Sequence, residues 1–267
     1  MAGFQCAISG IARDASSSGK STRKRALPTY NATVLRGNGS EMLTEALQRR
    51  PWWKSTPEDE SFSLWWGGNG QPFDFSGTGL APAGQGKPRQ LVNKFAHHAE
   101  ICTKSRLAIN LRRYAKAAGV DLASVVPLTY VLKAGCKPED RELQSFRAAA
   151  AECSACGDGQ MWIVKPGSKN RGFGIEVMPT ARAVEAHLKK AKPGGTWVVQ
   201  KYLERPLLLG GRKFDVRQYV LVTSDLKVFM YKDSYVRTSS SLYDATNLAD
   251  RSIHLTNDYV QKHLEVR

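Results

Sequence analysis

The chain has 267 residues, 42% of them apolar, with a net charge of +15 and a pI near 9.7. That length suits one large or two ordinary domains, and the apolar content excludes a wholly disordered chain. No apolar run approaches the ~18 residues of a membrane span, and MAGFQCAISGIARDASSSGK lacks the basic start and sustained apolar core of a secretory signal.

The excess of Lys and Arg points to an acidic partner: an acidic protein, a nucleic acid or an anionic surface. Five cysteines, at 6, 102, 136, 153 and 156, are few and odd in number. They read as reduced thiols in a cytosolic setting and not as a disulfide framework.

Residues 1–40 are rich in Ser, Gly, Lys and Arg and are expected to be disordered. Within them, Asp14 to Ser21 nearly matches a phosphate-binding P-loop. Asp14 replaces the leading glycine, and no strand–loop–helix pattern surrounds it. A short helix is expected over 41–50. PWWK and SLWWGGNG then place four tryptophans in Gly/Pro-rich surroundings, and these are expected to pack onto globular structure. Residues 77–90 read as a linker, so 1–90 is expected to be largely disordered or linker.

A helix is expected over 103–118, capped by Thr103, with Leu107, Leu111 and Tyr114 at helical spacing and Gly119 at its end. A second is expected over 140–151, capped near Pro138. With their surroundings they suggest a small mixed subdomain over 91–158. His97-His98 reads as surface or packing, since neighbours point different ways. Cys153-Ser-Ala-Cys156 is half of a zinc pattern without a second half, so free thiols are the default.

From Gln160 the pattern changes. Strands are expected at 161–165, 173–178, 196–201, 214–223 and 226–232, with a helix over 180–191 and a Ser-Asp turn at 224–225. The class is α+β, a sheet layer with a meander. In MWIVKPGSKNRGFGIEVM the first strand ends on Lys165, and a Gly-rich basic loop follows. Such a loop presents backbone N–H groups and cations to an anion, though many basic hairpins look alike. Further on, GGRKFDVRQYV puts Lys213, Asp215 and Arg217 on one strand face by alternation. That face is costly in a core unless it binds something. Otherwise it is an exposed edge strand with a salt bridge of little worth.

Taken in order, IVKPGSKNRGFGI, WVVQKYLERPLL, KFDVRQYVLV, YKDSYVR and NLADRSIHLTNDYVQKH closely resemble the tubulin–tyrosine-ligase-like family, most of all its glycylase branch. The strong match covers about 160–265; PWW and NKF…TKSRLAINLRRY are weaker echoes. The resemblance implies an ATP-grasp fold over 159–267, with nucleotide held between two α+β subdomains. It implies ATP-dependent ligation of an amino acid, glycine first, to glutamate side chains of the acidic tails of tubulin, through an acyl phosphate. Lys165, Arg171 and Gly172 would hold phosphates. Gln200, Lys201, Tyr202 and Leu203 would form the hinge that reads adenine. Lys213 and Asp215 would contact nucleotide, Arg217 and Arg237 would face the acyl phosphate or the incoming amino acid, and Thr256 and Asn257 would complete the pocket.

The family's Mg²⁺ ligands lie on strands well after HLTN, whereas this sequence ends at Arg267. The ATP-grasp-like fold is therefore expected to be incomplete at the C-terminus, with Mg²⁺ ligands absent from this chain. Either the chain is part of a ligase, or it is a non-catalytic, basic tubulin- or microtubule-binding module. A nucleic-acid-binding protein ranks last, and no membrane partner is expected. The implied location is the cytoplasm and cytoskeleton, at cilia or flagella.

Overall fold

In the computed structural model, residues 30–37, 39–56, 62–68, 70–75, 90–157 and 159–263 are described. The near-P-loop at Asp14 to Ser21 and most of the expected linker lie outside them. The chain divides into two compact units, Met1–His98 and Ala99–Arg267.

In the first unit, β1 (Tyr30–Val34), β2 (Trp53–Ser55), β3 (Leu64–Trp66) and β4 (Leu91–Val92) form a parallel sheet in the order β2-β1-β3-β4. Helix α1 (Ser40–Gln48) links β1 to β2, where the helix over 41–50 was expected. The Trp-rich segment supplies β3: Trp65 is buried, with its ring 4.9 Å from Phe73. The Lys94 ammonium lies over the Trp65 ring and donates to the carbonyls of Gly68 and Gln71 at 2.6 and 2.7 Å.

The second unit begins with α2 (Ala99–Cys102) and α3 (Lys104–Ala118). Thr103 stands at the N-cap position of α3, but its hydroxyl donates to the Ala99 carbonyl and does not cap the helix. The apolar stripe read from the sequence is not the buried face. Ala115 is buried, while Leu107 and Tyr114 are exposed. Leu107 and Leu111 instead line a cleft of about 350 Å³ with Leu122, Val126 and Leu128. Periodicity found the helix, and its leucines line this cleft.

Strands β5 (Thr129–Lys133), β6 (Trp162–Pro166), β7 (Glu176–Met178) and β8 (Thr196–Lys201) form an antiparallel sheet in the order β5-β8-β6-β7. One face is packed by α4 (Arg141–Ala155) and α5 (Ala181–Lys190). Leu132, Trp162, Val164 and Val199 meet Leu143, Phe146, Val184 and Leu188 in a single cluster. Asp140 caps α4, its Oδ1 accepting from the amides of Glu142 and Leu143. Thr180 caps α5. Arg147 on α4 ion-pairs with Glu185 on α5 at 2.6 Å. Cys153 is buried on α4 and Cys156 beyond it is exposed.

The remaining chain gives β9 (Leu208–Leu209), β10 (Arg212–Arg217), β11 (Val220–Val222), β12 (Val228–Met230), β13 (Tyr235–Thr238), α6 (Arg251–His254) and α7 (Asp258–Lys262). Two strand expectations are corrected. The strand over 173–178 shortens to Glu176–Met178, because Gly172 and Gly174 take left-handed φ of 80° and 66°. The strand over 214–223 is two strands: β10 pairs with β13 up to Arg217, and β11 pairs with β12 from Val220. The chain changes partner between them, and Gln218 donates its side-chain amide to the Tyr231 carbonyl at the break.

Candidate functional site

The alternation of β6 buries Trp162, Val164 and Pro166 and turns Ile163 and Lys165 to the opposite face. There the Lys165 ammonium donates to Gln200 Oε1 at 2.7 Å, and Gln200 Nε2 donates to Thr129 Oγ1 at 2.8 Å. A cross-strand polar line thus runs over β6, β8 and β5. Burial, and then the charge of Lys104, bring the Lys165 pKa down to about 8.

Lys213, on β10, is affected in the same way. Burial and the charge of Lys165 bring it to about 8, against an opposing pull from Asp215. Lys104, at the start of α3, is lowered by burial as well. None of the three amines has an ion pair among the described residues. Confined cations that repel one another without a direct ion pair form a site suited to a multiply charged anion.

The loop after β6 is fixed on several sides. The Gly167 amide donates to the Thr196 carbonyl, and its own carbonyl accepts from the Lys104 amide. A Cβ on Gly167 would lie 2.9 Å from Ser105 Oγ. The Lys104 ammonium donates to the Lys169 carbonyl. Arg251 Nη2 donates to the Gly172 carbonyl at 2.6 Å. Arg171, at a left-handed φ of 56°, lies over the Tyr259 ring, which also meets Phe173. The structure thus places Arg171 and Gly172 against α6 and α7.

Of the four expected hinge residues, only Gln200 turns its side chain to Lys165. Lys201 ion-pairs with Glu204 at 2.7 Å, and Glu204 Oε1 also accepts from the Met161 amide. Leu203 is 60% exposed. Tyr202 is 3% exposed, and its hydroxyl accepts from the Lys213 ammonium at 2.9 Å and contacts His254 Nδ1 at 2.7 Å. Burial, then the neighbouring Tyr243 and Glu204, push its pKa far up.

Asp215 and Arg237 are register partners on β10 and β13. Arg237 donates from Nε and Nη2 to the two carboxylate oxygens at 2.7 Å each, and the Thr256 hydroxyl donates to Oδ2 at 2.5 Å. Burial pushes the Asp215 pKa up. The Arg237 and Thr256 hydrogen bonds and the charges of Arg237 and Arg217 outweigh it, so the value lies below that of an ordinary aspartate. Arg217 is exposed and lies over the Tyr219 ring. Asn257 stands at the N-cap of α7 with no side-chain cap bond.

The structure therefore gathers Lys165, Gln200 and Lys213 through contacts or mutual repulsion. It joins Asp215, Arg237 and Thr256 in one ion-paired cluster. Lys104, Thr129 and His254 were not singled out from sequence. Lys104 read only as the first turn of a helix, and His254 lay inside a quoted motif with no role attached. Among the described residues no group of three or more His, Cys, Asp or Glu is placed to hold a metal ion. Asp215 is taken up by Arg237 and Thr256.

An antiparallel sheet whose open face carries Lys165, with Lys104 and Lys213 near it, beside a glycine-shaped loop defines an anion-gripping α+β site. The tubulin-tyrosine ligase family profile matches residues 84–267, a range that holds every candidate site residue, and the chain belongs to that family. It is 46% identical over 129 residues to the tubulin monoglycylase TTLL3 of Homo sapiens, covering 46% of this chain and 16% of that protein. It is 37% identical over 122 residues to tubulin glycylase 3C of Tetrahymena thermophila, covering 45% and 11%. It is 30% identical over 253 residues to the tubulin polyglutamylase TTLL7 of Homo sapiens, covering 92% and 26%. The chain thus spans at most about a quarter of the length of these relatives.

Proposed function

We propose that the chain supplies the nucleotide-gripping part of an ATP-dependent ligase that joins an amino acid, glycine first, to glutamate side chains of acidic tubulin tails. The observation that carries this reading is the set of half-buried amines without an ion pair, Lys104, Lys165 and Lys213. A triphosphate would neutralise their mutual repulsion, so its binding is driven by charge that the fold has already positioned. ATP, when bound, supplies the phosphoryl group that makes a carboxylate an acyl donor. The lysines hold phosphate oxygens, the Gly167–Gly174 loop shapes the space around them, and Arg217, exposed, remains available to an anionic group of the acceptor. Glycine is favoured over glutamate by the likeness to the monoglycylases.

In this reading 159–267 carries the ATP-grasp part, and β5, α3 and α4 from the preceding segment pack with it in one unit. The charge of +15 favours encounter with an acidic tail in a salt-dependent way. The cytoskeleton, at cilia or flagella, is the proposed location. Among the described residues no helix is long and apolar enough to cross a membrane.

The test is to incubate the chain with tubulin, ATP, Mg²⁺ and radiolabelled glycine or glutamate. Label from glycine on tubulin is the expected result. Label from glutamate alone overturns the choice of amino acid. No label from either, together with salt-sensitive pelleting on microtubules, overturns the ligase reading in favour of a non-catalytic tubulin-binding module. Selective binding to RNA over tubulin would sink both.

A further inference from the structure

We infer that His254 is a positioning residue of this pocket: held as its neutral Nε2–H tautomer, it fixes Tyr202, and through Tyr202 the ammonium of Lys213. The inference rests on the nucleotide-binding reading above for its functional meaning, and on hydrogen-bond geometry for its content.

The direction of each bond follows from chemistry. The Asn247 carbonyl only accepts, so His254 Nε2, 2.9 Å away, carries the hydrogen. In the neutral ring Nδ1 is then an acceptor, and the Tyr202 hydroxyl donates to it at 2.7 Å. The phenol oxygen in turn accepts from the Lys213 ammonium at 2.9 Å. Donation runs one way, from ammonium to phenol to imidazole to carbonyl. Lys213 Nζ also lies 4.3 Å from the centre of the Tyr202 ring, so the phenol sets its position by two contacts.

The line is enclosed. Tyr202 and His254 are 3% and 4% exposed, and the Tyr243 ring meets the imidazole edge-on. A second proton on His254 would make Nδ1 a donor. Two donors, Nδ1–H and the Lys213 ammonium, would then converge on one buried phenol oxygen, whose own hydrogen would have to leave the imidazole and turn to Tyr243. The charged groups around the imidazole are Lys213 from β10 and Asp244 and Asp250 from the segment before α6. Tyr202 and Tyr243 are the neutral ones. Burial holds the His254 pKa below its ordinary value of 6.5, Lys213 acts in the same sense, and the Asn247 carbonyl and the two aspartates oppose it.

The same segment anchors the neighbouring functional side chain. Two residues past His254, Thr256 donates to Asp215. Lys213 and Asp215 on β10 are therefore both set from 254–256.

The test titrates a fluorescent ATP analogue into the purified full chain across the acid and neutral range. His254→Leu is expected to lose about tenfold in affinity near neutrality, the size of one charge-assisted hydrogen bond. His254→Gln can donate to Asn247 and accept from Tyr202, so it should retain near-wild-type affinity there. It should also lack the weakening that the wild type shows as His254 protonates. A Leu variant that binds like wild type, or a Gln variant that keeps the acid-side weakening, overturns the inference. Independently of nucleotide, ¹⁵N NMR at neutral pH should report an Nε2–H imidazole for His254; an Nδ1–H or doubly protonated ring overturns it. A wild-type chain that binds no ATP analogue would instead count against the proposed function, and the ¹⁵N spectrum would then decide the His254 inference. Should the Leu variant not fold, the Gln variant and the spectrum decide.

Discussion

Lys165 and Gln200 meet diagonally across two neighbouring strands, with the ammonium 2.7 Å from the amide oxygen. Their register partners are Val198 and Ile163 respectively. The contact therefore spans the sheet between strands and fixes Lys165 on the face away from the core. Lys165→Ala should weaken ATP-analogue binding by about tenfold or more, the loss of a positioned charge to phosphate. Gln200→Leu should weaken it less, because the ammonium remains but loses its neighbour. A fluorescence titration checks both, and an unchanged affinity for Lys165→Ala would count against the pocket.

The depressed lysines also set a pH dependence. Lys165 and Lys213 each have a pKa of about 8, against an ordinary value of 10.5. Nucleotide affinity should fall as pH rises through 8, as the ammonium groups become amines. Stability should move the other way. Between 8 and 10.5 the unfolded chain binds more protons than the folded one, so stability without ligand rises with pH across that window. Thermal melts of wild type against Lys165→Met, followed through that range, should show the slope reduced in the variant.

For Asp215 the sign is reversed. Its folded pKa lies below the ordinary 3.8, so the stability it contributes is present above that value and is lost as pH falls through the folded one. Asp215→Ala should also leave Arg237 without its partner. The side chains are 24% and 36% exposed, so the cost should be about 1–2 kcal/mol and below that of a fully buried pair. A urea double-mutant cycle with Arg237→Ala measures the coupling; additive losses would show that the pair contributes nothing of its own.

Gly172→Ala combines two penalties. The φ of 80° disfavours any side chain, and a Cβ would lie 2.7 Å from Val260 Cγ2. A loss of about 1–3 kcal/mol is expected, with weaker nucleotide binding as the loop shifts. Adding Val260→Ala should recover only the steric part. Full recovery would mean that backbone strain plays no role at Gly172.

Much of the second unit was legible from sequence because apolar runs, helical spacing and glycine stops are local. The strands at 161–165 and 196–201 and the helices over 103–118 and 180–191 stand within a residue or two of β6, β8, α3 and α5. Capping was not, since Thr103 makes no cap bond and the second helix is capped by Asp140 and not at Pro138. What was hidden depends on distant partners. Lys104 reads as an ordinary helical lysine until the fold brings it to the Lys169 carbonyl and to Lys165. Tyr202 reads as a hinge residue, but its phenol turns inward to His254, fifty-two positions away. The break between β10 and β11 lies in a run of strand-forming residues. Only the exchange of β13 for β12 as partner reveals it.

The hairpin of β11 and β12 pairs only with itself among the described residues, and Val220, Leu221, Val228, Phe229 and Met230 are all exposed. Such a ribbon offers unsatisfied backbone edges flanked by greasy side chains, the template on which strands of other molecules add. Its handling consequence is concentration. The chain should remain monodisperse when dilute and should self-associate as it is concentrated. A lysine at Leu221 or Phe229 should raise that threshold without touching the lysine pocket.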